Sequence, residues 1–308
     1  MDTNYEEFKN YPKPEEVDKW VESIWKMADS IKCDVEVLSD NGFSFSFGIR
    51  HVKNEFRYVK FMPEGMDEFY GYWQPVMSGP APLLVHTPGY GAEISTHPEL
   101  VSLGYNVLHI SPLGYATPDG PDLAKQRDNN WPVLADTALS QGEKGYKQWL
   151  VNCILAIKWA MKQREVIENR ISFFGTSQGG GCSMLLGSIF KDKGVRCVAA
   201  DVPFLTNLPV ARRFKSITYN YEPLSSIDNI EDGWRGLGFV DTISHVKRLD
   251  CPVLLTAGGK DDLCPAGAIK SFSESLPGTF SYNYFDTLGH RCSREFISLL
   301  SSWVRMYA

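Results

Sequence analysis

The sequence predicts an α/β fold in which a mixed, mostly parallel sheet carries helices on both faces. Two observations predict it. From residue 80 onward, short apolar runs typical of buried strands alternate with helical segments, which is the pattern of βαβ units. Before residue 80, apolar and polar residues alternate with a period of two, which is typical of antiparallel strands with one exposed face. We therefore expect a parallel sheet with an antiparallel extension.

The first 80 residues predict one helix followed by strands. Pro12 and Pro14 precede a segment, 15–30, whose apolar residues recur at spacings of three and four and so share one helix face. These residues are Val17, Trp20, Val21, Ile24 and Trp25. Strands are predicted at 34–38, 43–47, 56–61 and 69–73. We expect residues 1–30 to form a helical extension and residues 33–78 to join the sheet as antiparallel strands.

The rest of the chain predicts the main α/β unit. Six strands are predicted, at 82–86, 106–110, 171–174, 195–200, 252–257 and 279–285. The segment 143–164 has a strong helical periodicity, and a helix at 294–307 ends the chain. No linker rich in Gly, Ser or Pro divides the sequence, so we predict one domain over 1–308 with its catalytic core at 80–308.

Composition excludes several classes of protein. Aromatic residues make up 13% of the 308 residues, which argues against disorder, and the formal net charge of −6 argues against nucleic-acid binding. No apolar run is long enough for a membrane helix. The seven cysteines are scattered, so we expect free thiols in a reducing compartment. With no secretory signal visible we expect a cytoplasmic protein, although a secreted form trimmed of its signal would look the same.

The strongest motif is Gly-Thr-Ser-Gln-Gly at 175–179, between a predicted strand and a helix rich in small residues. This is the nucleophile-elbow pattern of α/β-hydrolases. Gly175 and Gly179 are expected because a Cβ at either position would clash across a tight turn. The turn would present the hydroxyl of Ser177 at the edge of the sheet, in front of the free N–H groups of a helix start.

A serine nucleophile needs a base and an acid, which in this fold follow it in the order acid, then histidine. His290 comes directly after the last predicted strand, whereas His245, the other histidine beyond Ser177, lies in a helical run. His290 is therefore the predicted base. Asp261 and Asp262 both follow the strand at 252–257, and by position either of them fits the acid.

The oxyanion hole needs two N–H donors. We expect one from Gln178, the residue after the nucleophile, and one from Tyr90, in the glycine-containing loop 86–91. In the alternative, Tyr90 lines the pocket without donating. The four histidines before Ser177 fit no metal-ligand spacing, so neither a metal nor a cofactor is expected. They are His51, His86, His97 and His109.

Four segments of the sequence resemble the acetyl xylan esterase and cephalosporin-C deacetylase family of α/β-hydrolases, carbohydrate esterase family seven. They are the Ser-Gln-Gly-Gly motif within 175–181, the Asp-Val-Pro-Phe-Leu run at 201–205, the Gly-x-x-Asp-x-x-x-Pro loop at 258–265, and Gly-His at 289–290. The loop Pro-Gly-Tyr at 88–90 matches in part. The sequence departs from the family pattern at Pro88, at 111–116 and at Arg291.

The resemblance implies hydrolysis of acetyl groups from acetylated xylo-oligosaccharides or similar small esters. It implies Ser177 as nucleophile, His290 as base and Asp261, rather than Asp262, as acid, with the amides of Tyr90 and Gln178 as oxyanion donors. It also implies a homo-oligomer, a cyclic hexamer. We expect no nucleic-acid or membrane partner.

Two other functions share these motifs. A serine peptidase of the prolyl-oligopeptidase type has the same elbow and residue order, but it carries a large N-terminal domain that some 80 residues cannot supply. A catalytically silent glycan-binding or scaffold protein could also use this fold. Cys264 and Cys292 follow the predicted acid and base closely, so the two thiols are candidates for a close approach or a disulfide, although two unconnected residues are the simpler interpretation.

Overall fold

The computed structural model describes residues 6–38, 57–92, 95–135, 143–214 and 229–308. The helices of this part, in chain order, are α1 (Pro14–Ser30), α2 (Pro98–Ser102), α3 (Glu143–Met161), α4 (Gln178–Ile189), α5 (Leu208–Ala211), α6 (Ile230–Val240), α7 (Ala266–Ser273) and α8 (Arg294–Tyr307). Short 3-10 helices span Glu6–Asn10, Leu123–Lys125 and Thr242–Arg248. No helix of the described ranges is long and apolar enough to span a bilayer.

The strands are β1 (Cys33–Leu38), β2 (Arg57–Pro63), β3 (Phe69–Gln74), β4 (Ala81–Thr87), β5 (Asn106–Ser111), β6 (Ala116–Thr117), β7 (Gly120–Pro121), β8 (Val166–Thr176), β9 (Val195–Asp201), β10 (Val253–Gly258) and β11 (Phe280–Phe285). Within the described ranges, nine of them form one sheet in the order β1-β2-β3-β5-β4-β8-β9-β10-β11. The strands from β5 to β11 in this order pair in parallel, and β1, β2, β3 and β5 pair antiparallel. The mixed sheet predicted from the sequence is confirmed.

The N-terminal segment joins the sheet in the predicted manner. Strand β3 pairs with β5, so that the antiparallel strands extend the parallel ones. Helix α1 starts at Pro14, and the Glu16 side chain accepts the backbone N–H of Lys13 at 2.8 Å, which satisfies a donor at the helix start. Its apolar face is buried at Val17, Trp20, Val21 and Ile24. The strand predicted at 43–47 lies outside the described residues.

The core occupies both faces of the sheet. Leu83 and Val85 of β4 belong to a hydrophobic cluster that includes α1, α3 and α4, whereas Leu84 belongs to a second cluster with α2 and α8. This alternation follows from the period-two direction of strand side chains. Because both faces are covered, the central strands are apolar throughout, as the short buried runs in the sequence indicated.

Strand β8 is longer than predicted. It begins at Val166 rather than at residue 171, and its first residues include Glu168, Asn169 and Arg170. Backbone pairing of Ala81 with Val166 and a register shift before Leu83 account for this extension. Pairing of backbone groups does not require apolar side chains, so the pattern of hydrophobic residues did not indicate this extension of the strand.

Candidate active site

Ser177, His290 and Asp261 form one hydrogen-bonded chain. The His290 Nδ1 atom lies 2.9 Å from Asp261 Oδ2, and its Nε2 atom lies 2.8 Å from Ser177 Oγ. A carboxylate only accepts hydrogen bonds, so Nδ1 carries the proton and Nε2 is left to accept the serine O–H. The Asp261 side chain is fully buried and the His290 side chain is 17% exposed. This arrangement can take a proton from Ser177.

The three residues meet because of the order of the strands. Ser177 follows β8, Asp261 follows β10 and His290 follows β11. These strands are parallel and lie side by side with β9 between β8 and β10, so their carboxyl ends reach the same edge of the sheet. Ligand and reaction sites of open α/β sheets lie at this edge.

The turn at Ser177 has the strained geometry of a nucleophile elbow. Ser177 has φ 59° and ψ −124°, a conformation that non-glycine residues rarely adopt. A Cβ on Gly175 would lie 2.6 Å from the carbonyl carbon of Gly179, and one on Gly179 would lie 2.9 Å from the carbonyl carbon of Pro88. Both glycines predicted from the sequence are thus required by close backbone packing.

The end of β9 and the segment that follows it stabilise this turn. The Ser177 N–H donates to the Asp201 carbonyl oxygen at 2.9 Å, and the Phe204 N–H donates to the Ser177 carbonyl oxygen at 2.9 Å. Both backbone polar groups of the strained residue are therefore satisfied by the neighbouring chain segment. The surrounding structure can hold the strained residue because it satisfies these groups.

The structure distinguishes between the two neighbouring aspartates. Asp261 Oδ1 accepts the backbone N–H groups of Leu263 at 2.9 Å and Cys264 at 2.7 Å, while its other oxygen faces His290. Asp262 is exposed. The carboxylate of Asp261 is therefore fixed by its own loop, and this is the aspartate that the resemblance selected.

A cleft of about 490 Å³ opens beside Ser177. Its lining residues are Tyr90, Asn130, Val133, Ser177, Gln178, Phe204, Leu263, Cys264 and His290. The cleft therefore contains all of the predicted site residues except Asp261, which lies behind His290, and the two elbow glycines. Its walls are mostly apolar, as is typical of small-molecule sites.

Tyr90 lies where the sequence predicted it, in the loop after β4. Thr87, the last residue of β4, pairs with Gly175, so this loop starts beside the elbow. Tyr90 is 46% exposed, and its hydroxyl donates to Asn130 Oδ1 at 3.3 Å and accepts the Trp131 N–H at 3.1 Å. The phenol ring is thereby fixed at the rim of the cleft.

Sequence reasoning missed several residues of this site. The side chains of Asn130 and Val133 lie in a segment without helical or strand periodicity, so no pattern could have indicated them. The Gln178 side chain was also missed, although Gln178 itself was predicted as an amide donor. Phe204 and Asp201 lie in the run 201–205 that carries part of the family resemblance, which was the available signal for them.

The other described histidines form contacts with residues other than Ser177. His86 and His109 face each other with their Nδ1 atoms 2.6 Å apart, and burial lowers the pKa of His86 well below its usual range. His97 packs against His86. His245 is fully buried and bonded to Ser188, which agrees with the preference for His290 as the base. His51 lies outside the described residues.

Cys264 and Cys292 are both free thiols, so the candidate disulfide is not formed. Cys264 is buried, which raises the pKa of its thiol well above the usual value, and Cys292 is exposed. Asp261, Cys264 and His290 have potential ligand atoms within 4.8 Å of one another. Both ring nitrogens of His290 are directed at Ser177 and Asp261, which makes these residues a proton-transfer group rather than a set of atoms directed at one ion.

Several solved structures are similar to this chain. Acetyl xylan esterase 1 from a Thermoanaerobacterium species is 18% identical, with complete coverage of both chains and a TM-score of 0.77. Acetyl xylan esterase from a Paenibacillus species is also 18% identical, with complete coverage of both chains and a TM-score of 0.74. Acylaminoacyl peptidase from Pyrococcus horikoshii is 16% identical with a TM-score of 0.60, and the match covers 78% of this chain and 38% of the peptidase. These likenesses show the α/β-hydrolase fold.

Comparison with curated proteins gives no match. The sequence pattern of the family described as acetyl xylan esterase (AXE1), in contrast, matches residues 3–299, which is nearly the whole chain. The match includes the N-terminal helix and strands as well as the segment with the motifs, so the predicted family is confirmed over its full extent. The chain therefore belongs to the acetyl xylan esterase family and is a carboxylic ester hydrolase.

Proposed function

We propose that this protein is a serine esterase that hydrolyses acetyl esters of small carbohydrates, with Ser177, His290 and Asp261 as its catalytic triad. The observation that carries the proposal is the continuous hydrogen-bonded chain from Asp261 through His290 to Ser177, which ends in the cleft. A serine hydroxyl alone is a poor nucleophile, and this chain supplies both the base and the group that orients it.

The reaction proceeds in two steps. Ser177 Oγ attacks the acetyl carbonyl carbon while His290 Nε2 takes the hydroxyl proton, and Asp261 stabilises the imidazolium. His290 then returns the proton to the departing alcohol oxygen as its bond to carbon breaks. A water molecule repeats the attack on the acetyl-enzyme, and this releases acetate and restores Ser177.

The negative oxygen of each tetrahedral intermediate needs two donors. Gln178 opens helix α4, so its N–H is one of the free groups at a helix start, where the helix dipole also favours negative charge. Tyr90 lies across the cleft in the loop next to the elbow, and its N–H is the second proposed donor. Loss of one such donor lowers kcat by about 10²–10³.

The cleft supports an uncharged substrate. Its described lining has no carboxylate, ammonium or guanidinium group, and the exposed ring of Tyr90 stands at its rim beside the amide of Asn130. An aromatic face and an amide suit the C–H faces and hydroxyl groups of a sugar ring. Together with family membership, these features support an acetylated sugar as the substrate.

The test is turnover of p-nitrophenyl acetate and of acetylated xylo-oligosaccharides by the wild-type protein and by Ser177→Ala. We expect a loss of about 10⁴-fold or more in kcat with the substitution. Ser298→Ala, on the exposed face of α8, is the matched control and should retain wild-type activity. Activity that survives in Ser177→Ala would reject the proposed nucleophile.

Two further measurements separate the alternatives. Cleavage of peptide anilides at a rate comparable to ester hydrolysis would favour a peptidase. A wild-type protein that neither turns over acetyl esters nor reacts with a fluorophosphonate probe would indicate a silent binding protein.

A further inference from the structure

A second carboxylate lies next to the Ser177–His290–Asp261 chain, on the residue whose carbonyl oxygen accepts the Ser177 N–H. Asp201 is the last residue of β9 and is 1% exposed. Its Oδ2 atom accepts the hydroxyl of Thr176 at 3.1 Å, and its Oδ1 atom accepts the hydroxyl of Thr256 in a short hydrogen bond. One buried carboxylate therefore joins the two strands that flank β9.

These two strands deliver the nucleophile and the acid. Thr176 is the last residue of β8 and directly precedes Ser177, while Thr256 lies in β10, which leads into the loop of Asp261. Backbone contacts reinforce the link, because the Ser177 N–H donates to the Asp201 carbonyl oxygen at 2.9 Å. The Val202 N–H donates to the hydroxyl of Thr256 at 3.1 Å. A shift of Asp201 would therefore displace both Ser177 and the loop that carries Asp261.

The negative charge of Asp201 also interacts with the proposed catalytic residues. Burial raises its pKa to about 6, while the hydroxyls of Thr256 and Thr176 and the positive form of His290 lower it, and the negative charge of Asp261 raises it. Among the described residues, His290 and Asp261 interact with it electrostatically, and so does the buried thiol of Cys264. At neutral pH the carboxylate is mostly ionised, so it stabilises a positive charge on His290.

If the link between β8 and β10 were only structural, a neutral amide at position 201 could provide it with a smaller desolvation penalty. The hydroxyls that donate to Asp201 carry no charge of their own, and within the described ranges no lysine or arginine forms an ion pair with it, so the buried carboxylate carries a large desolvation penalty. The positive charge that this carboxylate can stabilise is the one that forms on His290 during the reaction.

We propose that Asp201 is a positioning residue for ester hydrolysis, which holds the ends of β8 and β10 together through Thr176 and Thr256 and adds a second negative charge near His290. The proposal rests on the proposed function of Ser177, His290 and Asp261. It gives the site two carboxylates with different tasks. Asp261 orients the imidazole by direct contact. Asp201 acts through its hydrogen bonds to the two threonines and through the electrostatic effect of its negative charge.

The test measures kcat, KM and the pH profile of kcat/KM for wild type, Asp201→Asn and Asp262→Asn with p-nitrophenyl acetate. For Asp201→Asn we expect kcat to fall by about 10- to 100-fold with KM changed less than about twofold. Loss of the anion makes protonation of His290 harder, so the acidic limb of kcat/KM moves to lower pH, by about half a unit or more. Asp262→Asn, which changes an exposed carboxylate in the loop after β10, should match wild type.

A purely structural role gives a different result. An acidic limb that stays in place in Asp201→Asn, while kcat and Tm fall together, would overturn the proposal. If Asp201→Asn does not fold, Thr256→Val and Thr256→Ser replace it. Loss of kcat in the valine variant and recovery in the serine variant supports the proposal, and equal activity of both overturns it. Failure of the proposed function is distinguishable, because Ser177→Ala would then retain wild-type turnover.

Discussion

The side-chain oxygen of Gln178 accepts the backbone N–H of Leu134 at 2.6 Å, so the residue that follows the proposed nucleophile also holds the wall of the cleft. Its side-chain nitrogen donates to the Gly89 carbonyl oxygen at 3.2 Å. One buried amide therefore joins the loop that carries Tyr90 to the segment that carries Val133. The position of the proposed oxyanion donor at Tyr90 depends on this side chain, since Gly89 is the neighbour of Tyr90.

The first prediction concerns this amide. Gln178→Ala keeps the backbone N–H but releases both segments, so we expect kcat to fall by about 10- to 100-fold as the Tyr90 donor loses its fixed position. The Gln178→Glu side chain can still accept the Leu134 N–H, but it places a second oxygen next to the Gly89 carbonyl oxygen, where no hydrogen bond can form. Its kcat should fall as well. Gln163→Ala, in the turn at the opposite edge of the sheet, is the control for steady-state kinetics. Wild-type kcat in Gln178→Ala would contradict the prediction.

The second prediction separates Asp261 from Asp262. Asp261→Asn removes the charge that faces Nδ1 of His290 and allows the wrong tautomer, so kcat should fall by about 10³- to 10⁴-fold. The exposed Asp262, when changed to Asn, should leave kcat within about twofold of wild type. Stopped assays with p-nitrophenyl acetate measure both. Similar losses in the two variants would show that the fall in kcat comes from a change in the loop and not from the removal of one particular carboxylate.

The third prediction tests the packing of the elbow. A Cβ at Gly179 would lie 2.9 Å from backbone atoms of Pro88, which cannot move without displacing β4. We expect Gly179→Ala to lose about 3 kcal/mol of stability, or about 5–10 °C in Tm. Gly278→Ala is the control, because the nearest atom to its Cβ is 3.4 Å away, and its Tm should stay within about 2 °C. A thermal shift measurement in which the two variants agree would refute the steric argument.

The fourth prediction concerns the pH dependence of stability through His245. Its Nε2 atom donates to the Phe239 carbonyl oxygen at 3.0 Å and its Nδ1 atom faces the Ser188 hydroxyl at 2.8 Å, so the buried ring is neutral. Burial lowers the pKa of His245 to about 4, with a smaller opposing effect of the bond to Phe239. Between pH 6.5 and 4 the unfolded chain binds the proton and the folded chain does not, so the stability from this group is lost as the pH falls.

Urea unfolding of wild type and His245→Gln at pH 7 and pH 4.5 measures this effect. The difference in unfolding free energy between the two proteins should shrink by about 2 kcal/mol at the lower pH. Other titrating groups, including the buried Asp241, are common to both proteins and cancel in the comparison. A difference that is constant with pH would mean that His245 is not neutral and buried in the folded protein.

The fifth prediction follows from the family resemblance and concerns assembly. We expect a homo-oligomer, and light scattering behind size exclusion should give six times the 34.7 kDa mass of one chain. A monomeric mass together with full esterase activity would contradict the predicted hexamer, and it would leave the proposed triad unchanged.

Much of this arrangement was accessible from the sequence because it depends on local patterns. The period-two alternation before residue 80 and the buried runs after it predicted a mixed sheet, and nine strands of the described residues form one. The elbow glycines follow from the sterics of a tight turn, and the positions of Ser177 and His290 follow from the ends of strands. Strand ends are visible as places where apolar periodicity stops.

What the sequence by itself determined, then, was the chemistry of the site: a serine at a strained turn, a histidine after the last strand, and two adjacent aspartates. By position either aspartate fitted the acid and the resemblance selected Asp261, but only the tertiary structure shows that the Asp261 carboxylate accepts the N–H groups of its loop and faces His290. The same holds for Asp201 and Gln178, whose partners are distant in the chain. Contacts of this kind depend on the packing of neighbouring strands and loops, so no local pattern encodes them.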